Sequence, residues 1–108
     1  MLKVYLSPLA EKKLFLLLDY VEREWSKKER NELLEKIINS FQRVAAYPES
    51  SPKSQSFTSL HKCVLSKHTS YFYRFNSDEL EIITVFDNRQ NPEKIEVEIA
   101  KFFKLRSR

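Results

Sequence analysis

Lys53, Lys62, Lys67 and Arg74 fall with His61 and His68 in a stretch between Glu49 and Asp78 that contains no acidic residue, although acids are frequent on both sides of it. Arg89 follows in the polar run Asp87-Asn88-Arg89-Gln90-Asn91. Cations gathered without counter-charges suit an anionic partner. Tyr71, Phe72 and Tyr73 lie among them, so the pattern fits a groove that holds phosphates and stacks bases. It equally fits a solvated sheet face whose aromatics belong to the core. The first reading names Lys62, Lys67, Tyr71, Tyr73, Arg74 and Arg89 as contacts to nucleic acid or another target, with the acid-free window and Arg89 on one positive surface.

Other chemistry has less support. His61-x-Cys63 places two metal-ligating types on one strand face with His68 nearby, but a zinc site needs a further ligand that the sequence does not supply, so no metal is expected. Cys63 lies in an apolar run and reads as a small core residue, not as the nucleophile of a Cys-His pair. The chain has no glycine, which excludes phosphate-binding glycine loops and dinucleotide fingerprints, because a side chain would block the required backbone approach. No cofactor is expected.

The elements that must carry these residues can be read in order. Lys3 to Ser7 alternates as a short strand. Ser7-Pro8 then opens a helix with an N-cap serine and a proline at the first helical position. Its apolar stripe is Ala10, Leu14, Leu17, Leu18, Val21 and Trp25. Ser26 to Glu29 fits a capping box and starts a second helix bearing Leu33, Leu34, Ile37, Ile38, Phe41, Val44 and Ala45, which Tyr47-Pro48 stops. So short a connection makes an antiparallel helical hairpin. Pro48 to Ser59 is a serine- and proline-rich loop with Phe57 as its anchor. A strand near Leu60 to Ser66 follows. Ser70–Phe75 and Leu80–Phe86 then form a β-hairpin around Asn76-Ser77-Asp78-Glu79. The second of these strands is apolar on both faces, with Leu80, Ile82 and Phe86 on one and Ile83 and Val85 on the other, and so belongs in the middle of a sheet. Asn91-Pro92 opens a C-terminal helix of about three turns on Ile95, Ile99 and Phe102, ending in Lys101, Lys104, Arg106 and Arg108.

The expected architecture is α+β: an N-terminal strand, an antiparallel helical hairpin, a three-stranded antiparallel meander completing one antiparallel sheet, and a short C-terminal helix. At 108 residues the chain makes a single domain, 1–108. A net charge of +4 favours an anionic partner only weakly. One cysteine and no apolar leader point to the cytoplasm, and no stretch is long and apolar enough for a membrane span.

The element order, the opening VYLSPLAEKKL, the helix with DYVEREW, the strand YFYRF and above all the ending IITVFDNRQNP resemble the RelE/ParE family of toxins from bacterial type II toxin–antitoxin modules. The resemblance spans residues 3 to 103. It implies a compact, growth-inhibiting bacterial toxin, often serving plasmid stabilization, held inactive by a cognate antitoxin.

The family divides by mechanism. Its ribosome-dependent mRNA endoribonucleases cut by positioning the RNA 2′-OH and stabilising a pentacovalent anion with basic side chains. Their pattern has two alternating basic residues on the second strand, an Arg after the Tyr of the third, an Arg at the end of the fourth and often a later Tyr. Lys62 and Arg89 match it. Val64 replaces the second basic residue, Phe72 follows Tyr71 where the Arg is expected, and no Tyr follows Tyr73. Arg74 comes two positions late, on the face of Phe72. The ParE kind, which poisons DNA gyrase without catalysis of its own, fits the missing groups and the long helical hairpin. A gyrase-type toxin therefore ranks first. A ribonuclease acting on the ribosome and mRNA through Lys62, Arg74 and Arg89 is second, and a non-toxic nucleic-acid-binding adaptor third.

Overall fold

The computed structural model describes residues 1–106, with side chains through Lys104. Seven elements follow one another: β1 (Lys3–Leu6), α1 (Pro8–Glu24), α2 (Lys27–Ala46), β2 (His61–Val64), β3 (Thr69–Phe75), β4 (Glu79–Asp87) and α3 (Pro92–Arg106). Ser7 sets the first junction. Its hydroxyl accepts from the Ala10 amide at 2.9 Å as the cap of α1 and donates to the Ile83 carbonyl at 2.6 Å, so one buried side chain both starts the helix and moors it to β4. Ser26 caps α2 by accepting from the Glu29 amide. Only two residues separate the helices, and they form the expected hairpin.

The strands form one sheet in the order β1-β4-β3-β2. The meander is antiparallel, but β1 pairs with β4 in parallel, Lys3 opposite Glu79 and Leu6 opposite Ile82, so the sheet is mixed and the expectation of an antiparallel one is corrected. Direction follows from the ends of β1. The Lys3 amide bonds the Asp78 carbonyl and the Ser7 amide bonds that of Ile82, and this docks the chain along the free edge of β4 in the sense of β4 itself.

A second correction concerns β4. Phe72 faces Thr84 while Tyr73 faces Ile82, which leaves Ile83 as the extra residue of a β-bulge. Beyond it the alternation resets. Val85 joins Leu80 and Ile82 beneath the helical hairpin, and Phe86 joins Ile83 on the opposite face. As expected, β4 is central and buried throughout Leu80–Phe86.

Two apolar clusters result. Ile37, Phe41 and Val44 of α2 and Ala10 of α1 pack on Cys63, Tyr71, Tyr73, Leu80, Ile82 and Val85. On the other face, Ile95, Ile99 and Phe102 of α3 cover Leu60, Phe72, Ile83 and Phe86, with Phe57 anchoring its loop there as expected. α3 runs 15 residues, about four turns, one more than the periodicity suggested. The side chain of Arg106 and all of Arg108 lie outside the described residues. Trp25 departs from the expected stripe of α1. It sits at the C-cap, where the backbone leaves helical angles, and is 71% exposed. Ile38 likewise faces outward. Among the described residues, no helix is long and apolar enough to cross a membrane.

Candidate target-binding face

Strand alternation divides the proposed contact residues between the two faces of the sheet. Lys62 and Phe72 are register partners on the α3 side, and Arg74 follows on that side opposite Glu81. Tyr71 and Tyr73 point the other way. They are 1% and 0% exposed in the core beneath the hairpin, which corrects the expectation that they stack on bases. Their hydroxyls are engaged inside the protein, Tyr71 with Ser40 Oγ at 2.8 Å and Tyr73 with the Pro48 carbonyl at 2.7 Å. Burial, ahead of all other causes, pushes both phenols above their ordinary pKa.

On the α3 side, the Phe72 and Phe86 rings stack with centroids 5.0 Å apart, and Lys62 Nζ lies 5.7 Å above Phe86. Both rings are buried. A groove of about 540 Å³ runs past them between the sheet, the 52–57 loop and the start of α3, with Lys53, Lys62, Val64, Asn88 and Ile95 among its walls. The loop is held by Lys62 N–H to the Pro52 carbonyl, Ser54 N–H to that of Leu60, and Ser56 Oγ donating to Glu96 of α3 at 2.7 Å. Lys67 is exposed in the bend after β2. The Asn88 amide group ties that bend to β4 through the carbonyls of Ser66 and Lys67.

The two arginines are occupied. Arg74 Nε meets Glu81 Oε1 at 2.9 Å, and its guanidinium lies 5.2 Å from the Phe103 ring centroid of α3. Glu81 is 3% exposed, so this pair helps to fasten α3 to the sheet. Arg89 grips Asp87 twice, Nε to Oδ1 at 3.0 Å and Nη2 to Oδ2 at 2.7 Å, and its backbone N–H adds a third bond to Oδ1. These bonds, the side-chain ones first, hold the Asp87 carboxyl down at about 2. The same partner raises the Arg89 guanidinium, which stays exposed. Arg89 does not line the groove, although its neighbours Asn88 and Gln90 do. The sheet thus brings Lys62 and Arg74 to one face and leaves Arg89 at the end of β4.

Cys63 occupies a polar knot that the spacing did not suggest. Ser40 Oγ lies 3.8 Å and Arg43 Nη2 3.7 Å from its sulfur. Burial alone would raise the thiol's pKa, yet hydrogen bonds involving Tyr71, Ser51, Ser40 and Arg43 together outweigh it and lower it. His61 is bound elsewhere, its Nδ1 at 2.7 Å from the Ser51 carbonyl and its ring stacked on Tyr73. Among the described residues, no three metal-ligating side chains converge.

This fold and its sequence have known counterparts. Residues 4–92 match the model of the ParE toxin of the type II toxin–antitoxin system parDE. The chain belongs to the ParE toxin family. Its fold also matches a chain of the chromosomal ParDE toxin–antitoxin system from P. aeruginosa at 11% identity and TM-score 0.68, over 81% of this chain and 96% of that one. A conserved hypothetical protein from Helicobacter pylori aligns at 17% identity and TM-score 0.55, over 83% and 98% of the two chains. At such identities these likenesses concern the fold alone. No curated protein matches the sequence.

Within this ParE-family fold, a residue that sequence reasoning did not single out is Glu81, the partner of Arg74. Lys53 and Phe57, both noted from the sequence, reach the groove because the 52–57 segment folds back along β2, with Lys53 bridged to His61. Glu81 had a local signature: it lies two residues before Ile83 on a strand that is apolar on both faces.

Proposed function

We propose that this chain is a ParE-like toxin that inhibits DNA gyrase, and with it replication, in the bacterial cytoplasm, and that a cognate antitoxin neutralises it. The observation that supports a non-catalytic toxin over a ribonuclease is the state of the basic groups. Cleavage of mRNA through its own 2′-OH needs several free cations around the scissile phosphate. Here Val64 and Phe72 stand at two of the positions concerned, Arg74 is paired with Glu81 and Arg89 with Asp87. Lys62 alone of the three catalytic candidates has no carboxylate partner among the described residues. A protein that acts by binding needs no such cluster.

The test is to express the chain without an antitoxin and to follow chromosomal DNA and mRNA from the moment growth slows. Early DNA breaks with intact mRNA are expected. Early mRNA cuts with intact DNA would instead assign the chain to the ribonucleases, and unimpaired growth would make it an adaptor.

A further inference from the structure

We infer that the outward face of α1 is a two-fold interface on which a second copy of this chain packs its own α1 antiparallel, with Phe15 and Leu16 at the axis. The pairing does not depend on which target the toxin acts on. The first reason is where apolar surface is left uncovered. Phe15, Leu16 and Tyr20 are 69%, 49% and 52% exposed on this one helix, whereas α2 leaves only Ile38 and α3 only Val97 outward among the described residues. Single exposed apolar side chains are ordinary, but neighbours on one helix form a patch. The outer side of a surface helix is normally polar, so a copy that covers this one removes apolar area from water.

The second reason is the symmetry of the pattern. At about 100° per residue, Pro8, Lys12, Phe15, Leu16, Asp19 and Arg23 fall in one stripe along α1, on the side away from Ala10, which is buried in the core. Their spacings are four, three, one, three and four residues, the same from either end. Two such helices laid antiparallel about an axis between Phe15 and Leu16 therefore match position for position. Phe15 meets the partner's Leu16, Lys12 meets the partner's Asp19 and Pro8 meets the partner's Arg23. A two-fold interface requires this reciprocity, in which residue i meets j while j meets i.

The third reason is charge, and it fixes the direction. Antiparallel pairing sets Lys12 against the partner's Asp19 twice, once on each side of the axis. Lys12 is exposed and has no carboxylate partner among the described residues. Asp19 Oδ2 holds Arg23 Nε at 3.0 Å, and a carboxylate has a second oxygen to offer the incoming ammonium. Parallel pairing would set lysine on lysine and aspartate on aspartate, which is unfavourable. The stripe runs about 22 Å from Pro8 to Arg23. Such a contact belongs to the small, reversible class of interface, below about 1,200 Å² in total, and forms at micromolar concentrations.

The test is sedimentation equilibrium of the full chain from about 1 to 100 μM. The average mass is expected to rise from one chain towards two and no further, because a two-fold contact closes on itself. Phe15→Glu, at a largely exposed site, is expected to raise the Kd of the dimer about tenfold or more. Lys12→Asp and Asp19→Lys should each be monomeric alone, since each sets like charges together on both sides of the axis. Mixed one to one, these two variants should pair, because both charge contacts across the axis are then between opposite signs. Val97→Glu, an exposed change on α3, leaves dimerisation as it was, and melting curves verify that each variant is folded. A mass of one chain throughout, growth past two chains, a mixture no more associated than its components, or an equal loss with Val97→Glu overturns the proposal.

Discussion

The two faces of the sheet are built from alternate residues of the same strands, yet they close in different ways. Under the helical hairpin, Tyr71 and Tyr73 bury their rings and satisfy their hydroxyls on Ser40 and Pro48, so that face is sealed by both apolar contact and hydrogen bonds. Under α3, Phe72 and Phe86 are buried too, but the cover is a helix and a loop with a groove left between them. The difference lies in what stands at the rim. The sealed face turns its polar groups inward to partners, and the open face presents Lys53 and Lys62 outward. Both faces carry core, and the second also leaves lysines exposed along its groove.

Core truncation on the sealed face should give the largest effect. Ile82→Ala is expected to cost roughly 2–5 kcal/mol in urea melts, whereas Lys62→Ala at the groove stays within about 0.5 kcal/mol. Comparable losses at the two sites would erase the contrast. Next comes the latch between the sheet and α3. Arg74→Ala deprives the buried Glu81 carboxylate of its guanidinium and should cost about 2 kcal/mol, part of which Arg74→Ala/Glu81→Ala restores. A double variant no more stable than the single one would show that the pair does not fasten α3.

A smaller effect distinguishes the hydroxyl of Tyr71 from its ring. Tyr71→Phe should cost about 1 kcal/mol at neutral pH, and it should also flatten the alkaline limb of the stability curve. Both tyrosines keep their protons in the folded state above the ordinary value of 10.0. Their contribution is therefore complete below pH 10 and falls as pH rises beyond it, because the unfolded chain has already released its protons. An alkaline limb that is identical in wild type and variant would place the phenols outside the core.

The smallest change in stability is expected at Arg89. Arg89→Ala should leave the melting temperature at neutral pH almost unchanged while reducing toxicity, since the ion pair with Asp87 is exposed and screened. Asp87 has a depressed pKa, so what the pair contributes is present above the ordinary carboxylate range and disappears as pH falls through about 2. A large loss of stability with toxicity retained per folded molecule would make Arg89 a structural residue.

The order of elements, both serine caps and the central place of β4 were legible because each follows from local spacing: a serine before a proline, an apolar stripe, an apolar run. The β-bulge was not, since LEIITVF contains nothing that marks Ile83 as the extra residue, and Val85 and Phe86 were accordingly assigned to the wrong faces. The parallel pairing of β1 depends on hydrogen bonds across more than seventy residues, which no local pattern encodes. For the site, composition located the cations and put Asp87 two residues before Arg89, but it gave Arg74 no partner. Glu81 and Asp87 decide that Arg74 and Arg89 are occupied, and only the strand register sets Glu81 opposite Arg74. Aromatic identity alone was equally ambiguous for Tyr71 and Tyr73 until the register assigned them to the core.

The central claim, a toxin that acts by binding gyrase and not by cutting RNA, is tested most directly with purified components. The chain is added to DNA gyrase, ATP and relaxed plasmid, and in parallel to translating ribosomes carrying a labelled mRNA. Blocked supercoiling with covalently trapped DNA breaks, and mRNA left whole, is the predicted result. Cleaved mRNA beside uninhibited gyrase would contradict it.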